Sequence, residues 1–168
     1  LVATYFGSQE IAWESKEQSS IGLIVCILLI QFVAVIGAYS TSKASEKFGN
    51  IPTLIVINSI WFLLCVAAYF IKLPIHFYFM AALVGLVMGG IQSLSRSTYS
   101  KFLPETEDTA SFFSFYDVAE KIGIVIGMIL YGIIDQRTGS PRNSIVFLAI
   151  FFIIGVYLLR KVPKKELN

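Results

Sequence analysis

Charge is scarce in this sequence. Of its 168 residues only 14% are Asp, Glu, Lys or Arg, whereas 56% are hydrophobic and the mean hydropathy is +0.75. That balance excludes an ordinary soluble domain. Cysteine is nearly absent: Cys26 and Cys65 both sit inside apolar runs, with neither disulfide nor metal-ligand spacing around them, and read as packing residues. Histidine occurs once, at His76 close to Pro74, so neither a metal site nor a Ser-His catalytic pair is expected. No cofactor is expected either, and the net charge of +2 gives no reason to expect nucleic acid. A cleavable leader is also missing from the pattern, since the chain opens Leu-Val-Ala-Thr-Tyr-Phe-Gly and its first charges are Glu10 and Glu14. This opening reads as the tail of a helix, and the chain is expected to be a fragment or a separated half.

What the sequence does have is long uncharged stretches. Residues 73–95 and 51–71 carry no formal charge, and each could cross a hydrocarbon core of about 30 Å as a helix. A closed barrel would need shorter strands alternating apolar and polar residues, which these runs do not show. The five prolines fall between the apolar runs, where a helix can start on one but not contain it. The fold class expected is therefore an all-α polytopic membrane protein, a single membrane domain. Its five complete spans lie at about residues 21–40, 51–71, 75–94, 111–134 and 144–159. Residues 1–9 are the end of a sixth helix, residues 41–50 and 95–110 are polar loops, and a basic tail occupies 160–168.

Five spans put the loops alternately on two sides. One side collects Lys43, Lys47, Arg96, Lys101, Arg160, Lys161, Lys164 and Lys165; the other collects Lys16, Lys72, Arg137 and Arg142. The richer side, with the C-terminus, is expected to be cytoplasmic. Trp13, Tyr69, Phe70, Phe77 and Tyr78 then sit near the outer interface.

The fourth span holds charges at depth. Asp117, Glu120 and Lys121 follow Phe-Phe-Ser-Phe-Tyr at 112–116, and their spacing of three and four residues puts them on one side of the helix, where they can pair. Such groups mark a solute or proton path, with Tyr116 beside them, or else form a structural ion pair near the cytoplasmic interface. Gly123 and Gly127 in this span, and Gly85 and Gly89 in the third, are small residues four apart that let helix backbones approach closely in lipid. Gln31, at mid-span in the first, is a further path candidate.

The segment from Ser42 to Gly49, with Ala44, Glu46 and Lys47 between, resembles a degenerate form of the G-x-L-x-D-R-x-G loop of major facilitator superfamily transporters. Joined to Gly-Gly-Ile-Gln-Ser-Leu-Ser-Arg-Ser-Thr-Tyr-Ser-Lys-Phe-Leu-Pro-Glu at 89–105 and Ser-Phe-Phe-Ser-Phe-Tyr-Asp at 111–117, it resembles the branch related to the fungal vacuolar effluxers of the autophagy pathway. The resemblance implies a twelve-helix fold in two halves, of which this chain is the C-terminal six-helix half. It also implies that Glu46, Lys47, Gly49 and Arg96 belong to a cytoplasmic conformational latch.

The function expected is therefore secondary transport, as a permease or effluxer of small solutes, amino acids among them, by alternating access. The partners expected are the lipid bilayer, the missing N-terminal half, the solute and a coupling proton. The location implied is the bacterial inner membrane. An intramembrane enzyme lacks a nucleophile and base in its helices. A structural or receptor-like module that moves nothing is the alternative, and solute flux separates it from a transporter.

Overall fold

The computed structural model describes residues 2–105 and 108–162, and these form six helices with no strand among them. They are α1 (Val2–Glu10), α2 (Lys16–Phe48), α3 (Asn50–Ala68), α4 (Pro74–Phe102), α5 (Thr109–Thr138) and α6 (Pro141–Lys161). Most of the tail expected at 160–168, with Lys164 and Lys165, lies outside the described residues.

Local chemistry sets the helix ends. Ser15 caps α2 by accepting from the Gln18 backbone N–H at 3.1 Å, while the Gln18 side chain reaches back to the Glu14 N–H at 2.6 Å. Pro74 and Pro141 occupy the first turns of α4 and α6. Asp108 caps α5, and the Ser111 hydroxyl, then its backbone N–H, hold the Asp108 carboxyl below the usual carboxylate range. The cap strengthens the helix above that range and is lost as pH falls through the lowered value. Gly139 ends α5 in the left-handed region at φ 64, its N–H bonded to the Asp135 carbonyl at 2.8 Å.

Two expected loops are helical for most of their length. Residues 41–48 continue α2, so Glu46 and Lys47 stand in its last turn, and Arg96 stands within α4 and not in a loop. The reason is that polarity marks the edge of the membrane, not the end of the helix. Ser-Lys-Ala-Ser-Glu-Lys contains no breaker, and only Gly49, at φ 87, interrupts the chain before α3 begins. With 33 residues α2 is about 50 Å long, well beyond the hydrocarbon thickness.

Four helices, α2, α3, α4 and α6, are long and apolar enough to cross a membrane. Five were expected. The fifth, α5, has the length, but any stretch of 18 residues in it contains at least three charged side chains. The outer surface is apolar, with Phe32 and Phe70 each 73% exposed, as lipid and not water requires.

Without a hydrophobic drive between helices in lipid, close approach needs small residues. The pair α2 and α4 shows it: a Cβ on Gly85 would strike the Ile30 carbonyl, one on Gly89 the Ala34 carbonyl, and one on Gly37 the Leu86 backbone. Gly90 lies against the Thr41 side chain. Beside this pair α3 packs on α4 and α6, with Trp61 stacked on Phe152 at 5.4 Å, and α5 packs along α6.

At one end of the bundle the chain turns at 10–15, 69–73 and 139–140 are drawn together by one side chain. Arg142 donates to the Glu10 carboxylate, to the Glu10 carbonyl at 2.9 Å and to the Tyr69 carbonyl, and its guanidinium lies 5.7 Å from the Phe6 ring. The Ala12 N–H bonds the Lys72 carbonyl at 2.9 Å. The side chains of Arg142 and Glu10 are only 12% and 18% exposed. Arg142→Gln should therefore destabilise the chain by about 3 kcal/mol, the lower end for a broken buried pair because some water reaches it. Thermal melting in detergent would show this, and a shift no larger than that of Arg137→Gln would contradict it.

Candidate functional site

The charges of α5 pair along their own helix only in part, Glu120 with Lys121. Asp117 pairs across to α4: one Arg96 guanidinium nitrogen lies 2.9 Å from Oδ1 and 3.2 Å from Oδ2. Lys121, 71% exposed, has its ammonium 4.0 Å from Glu120. The expected pairing of Asp117 with Lys121 is corrected on this point, because the longer Arg96 side chain reaches Asp117 from the neighbouring helix.

Aromatic rings surround the Arg96–Asp117 pair. The guanidinium lies 5.6 Å from the centre of the Phe113 ring and 5.9 Å from that of Tyr116. Tyr116 and Ser95 share a hydrogen bond of 2.8 Å, and the Tyr99 hydroxyl donates to the Phe112 carbonyl at 3.0 Å. At this end α4 and α5 are joined through these side-chain contacts. Arg96 and Asp117 are 53% and 48% exposed, which leaves the pair accessible to a solute or an ion.

Beyond Asp117, α5 presents Val118, Lys121, Ile122 and Val125 to an open groove of about 410 Å³. Gly123, Gly127 and Gly132 have nothing within 4 Å of where a Cβ would stand. The two glycine pairs of the sequence therefore differ: Gly85 and Gly89 are packed, and Gly123 and Gly127 are bare.

The remaining candidates stand elsewhere. Gln31 lines a separate cavity inside the bundle. Lys47 lies 5.2 Å from the Phe48 ring, and among the described residues Glu46 makes no ion pair. Neither meets Arg96. Sequence reasoning missed the neighbour of Gly49: the buried Asn50 amide donates to Thr98 at 3.0 Å and accepts from Lys101 at 3.4 Å, tying α3 to the end of α4. A polar residue directly after a breaking glycine was the available signal. For Glu10 and Arg142, 132 positions apart, there was none.

The family model described as "Vacuole effluxer Atg22 like" matches residues 1–166. An MFS-type transporter of Bacillus subtilis (strain 168), YxiO, is 33% identical over 146 residues, covering 87% of this chain and 34% of that protein. Autophagy-related protein 22 of Eremothecium gossypii is 28% identical over 82% of this chain and 29% of its own length. Autophagy-related protein 22-1 of Aspergillus niger is 28% identical over 95% of this chain and 23% of its own. The chain thus spans about a third or less of the length of these curated relatives. No solved structure matches it.

Proposed function

The chain belongs to the Atg22-like vacuole effluxer family of integral membrane transporters, and from that premise we propose that it is one half of a secondary transporter of small solutes. The observation that carries the reading is α5. Its extensive packing is along α6, and it leaves a charged and glycine-bearing face bare. A membrane helix does not turn Asp117 and Lys121 to lipid, so that face lines a wet path or meets other helices.

In this reading the uncovered face of α5 meets the other, N-terminal half, and the solute passes between the halves by alternating access. Arg96 is the group offered to an anionic part of the solute, a carboxylate such as an amino acid carries. When the solute or a proton takes Arg96 or Asp117 from its partner, α5 loses its main tie to α4 at that end and stays held along α6. The family's description as a vacuole effluxer supports efflux as the direction, and the place proposed is a bacterial inner membrane.

The test is solute release from vesicles containing the longer protein. Gly123→Leu should leave the melting temperature of the 168-residue chain unchanged yet lower flux about tenfold or more, because it fills space kept for an opposing helix. Unchanged flux would defeat the assignment of this face. Sidedness has its own test: the Arg96 end should face the cytoplasm on the Lys and Arg distribution, so Ser100→Cys in intact cells should resist an impermeant thiol reagent. Ready labelling would invert the orientation.

A further inference from the structure

At the end of the bundle opposite Arg96 the acids outnumber the bases that answer them. Glu10 is the last residue of α1 and Asp135 lies in the last turn of α5, so both stand at helix C-termini, where unsatisfied backbone carbonyls already make the surroundings negative. Arg142 of α6 neutralises Glu10. Asp135 has no basic partner among the described residues, since the other ion pairs are Arg96 with Asp117 and Lys121 with Glu120. Arg137 is two positions further along α5, a spacing that does not face Asp135, and it is exposed. What the Asp135 carboxylate does accept is a hydrogen bond from the neutral Tyr5 hydroxyl of α1, at 3.0 Å.

Beside that carboxylate lies a buried oxygen with nothing bonded to it. Tyr131, one turn back on the same side of α5, is 6% exposed, and its hydroxyl has no hydrogen-bond partner among the described residues. Its ring meets the Tyr5 ring edge-on with centres 6.3 Å apart, and Asp135, Tyr5 and Glu10 all act on it electrostatically, so the hydroxyl is turned toward the acids. A buried polar atom asks for a partner. A water would satisfy the hydroxyl and leave Asp135 unanswered, whereas a cation satisfies both. The charge left over is single, because Glu10 is taken up by Arg142, and a hydroxyl closed off from solvent admits only a small guest. We propose that Asp135 and Tyr131, with Tyr5 holding the carboxylate in place, form a binding site for an alkali cation, Na+ or K+, which takes hard oxygen ligands from the carboxylate, the phenol and water. In the transporter reading, on which its role alone rests, this ion is the coupling ion.

The experiment melts the purified longer protein in detergent near neutral pH, in sodium, potassium or choline chloride at about 0.1 M each, so that screening is the same in all three. Sodium or potassium should raise the melting temperature by about 3 °C or more over choline, and whichever does so is the ion of the site. Asp135→Asn keeps the shape and can still accept from Tyr5, but should abolish the difference between the salts. Tyr131→Phe removes an unbonded buried hydroxyl, so in choline it should melt no lower than the parent, while the cation concentration giving half the effect should rise about tenfold. Equal melting in all three salts, a cation response kept by Asp135→Asn, or an unchanged half-effect concentration in Tyr131→Phe would overturn the site. Solute release from vesicles separates this inference from the reading it joins. A protein that shows the cation response and moves no solute would overturn the transport reading and leave the site standing, and one that moves solute without any cation response would do the reverse.

Discussion

Gly89→Val is expected to destabilise the chain by about 3 kcal/mol or more, the upper range for overpacking. A branched side chain there must occupy the volume of the Ala34 carbonyl, which is backbone and cannot swing aside. To admit it, α2 and α4 would have to separate along the seam where Gly37, Gly85 and Gly89 bring them together. In lipid this seam is a main source of association, since apolar side chains gain little by leaving one hydrocarbon environment for another. Gly123→Val, chemically the same change, should alter stability by less than about 0.5 kcal/mol, because nothing lies near that position. Melting in detergent of the two variants side by side is the measurement. Equal losses would mean that the α2–α4 seam does not hold the bundle.

This contrast shows where the sequence stops being legible. Composition, uncharged runs and punctuating prolines are enough for a helical membrane bundle, and the motif-like segments at 42–49, 89–105 and 111–117 are enough for the family. The spacing of Gly85 and Gly89 is also that of Gly123 and Gly127, yet one pair is packed and the other bare. A helix that is apolar on all sides has no polar face to tell which side meets protein. For the same reason the partner of Asp117 is out of reach: spacing along α5 offers Lys121, and only the relative rotation of α4 and α5 brings Arg96 to it. The helix ends at 48 and 102 are obscured differently. Ser, Lys and Glu are good enough helix residues to carry a helix past the membrane edge, so a polar stretch that looks like a loop is helix.

Asp117→Asn in the longer protein should lower solute flux by about tenfold or more while shifting stability by less than about 1 kcal/mol. The small stability effect follows from exposure: both partners are about half open, so water screens the attraction and replaces much of what is lost. The flux effect follows from position. Asp117 and Arg96 close the end of α5 onto α4, so neutralising the acid removes the charge that holds Arg96 and with it the competition between Asp117 and an anionic solute. The substituted amide would still accept a hydrogen bond from Arg96, which isolates the charge as the variable. Arg96→Gln should reduce flux as strongly, and exchanging the two charges should restore more activity than either single change leaves. Glu120→Gln should do less, because its contact with Lys121 joins neighbours on one helix and holds nothing to α4. Flux and melting are to be read on the same preparations. A structural lock would give the reverse pattern, with melting lowered and flux per folded molecule intact. In that case the path would pass to Gln31 and the cavity it lines, and the charges of α5 would be fasteners only.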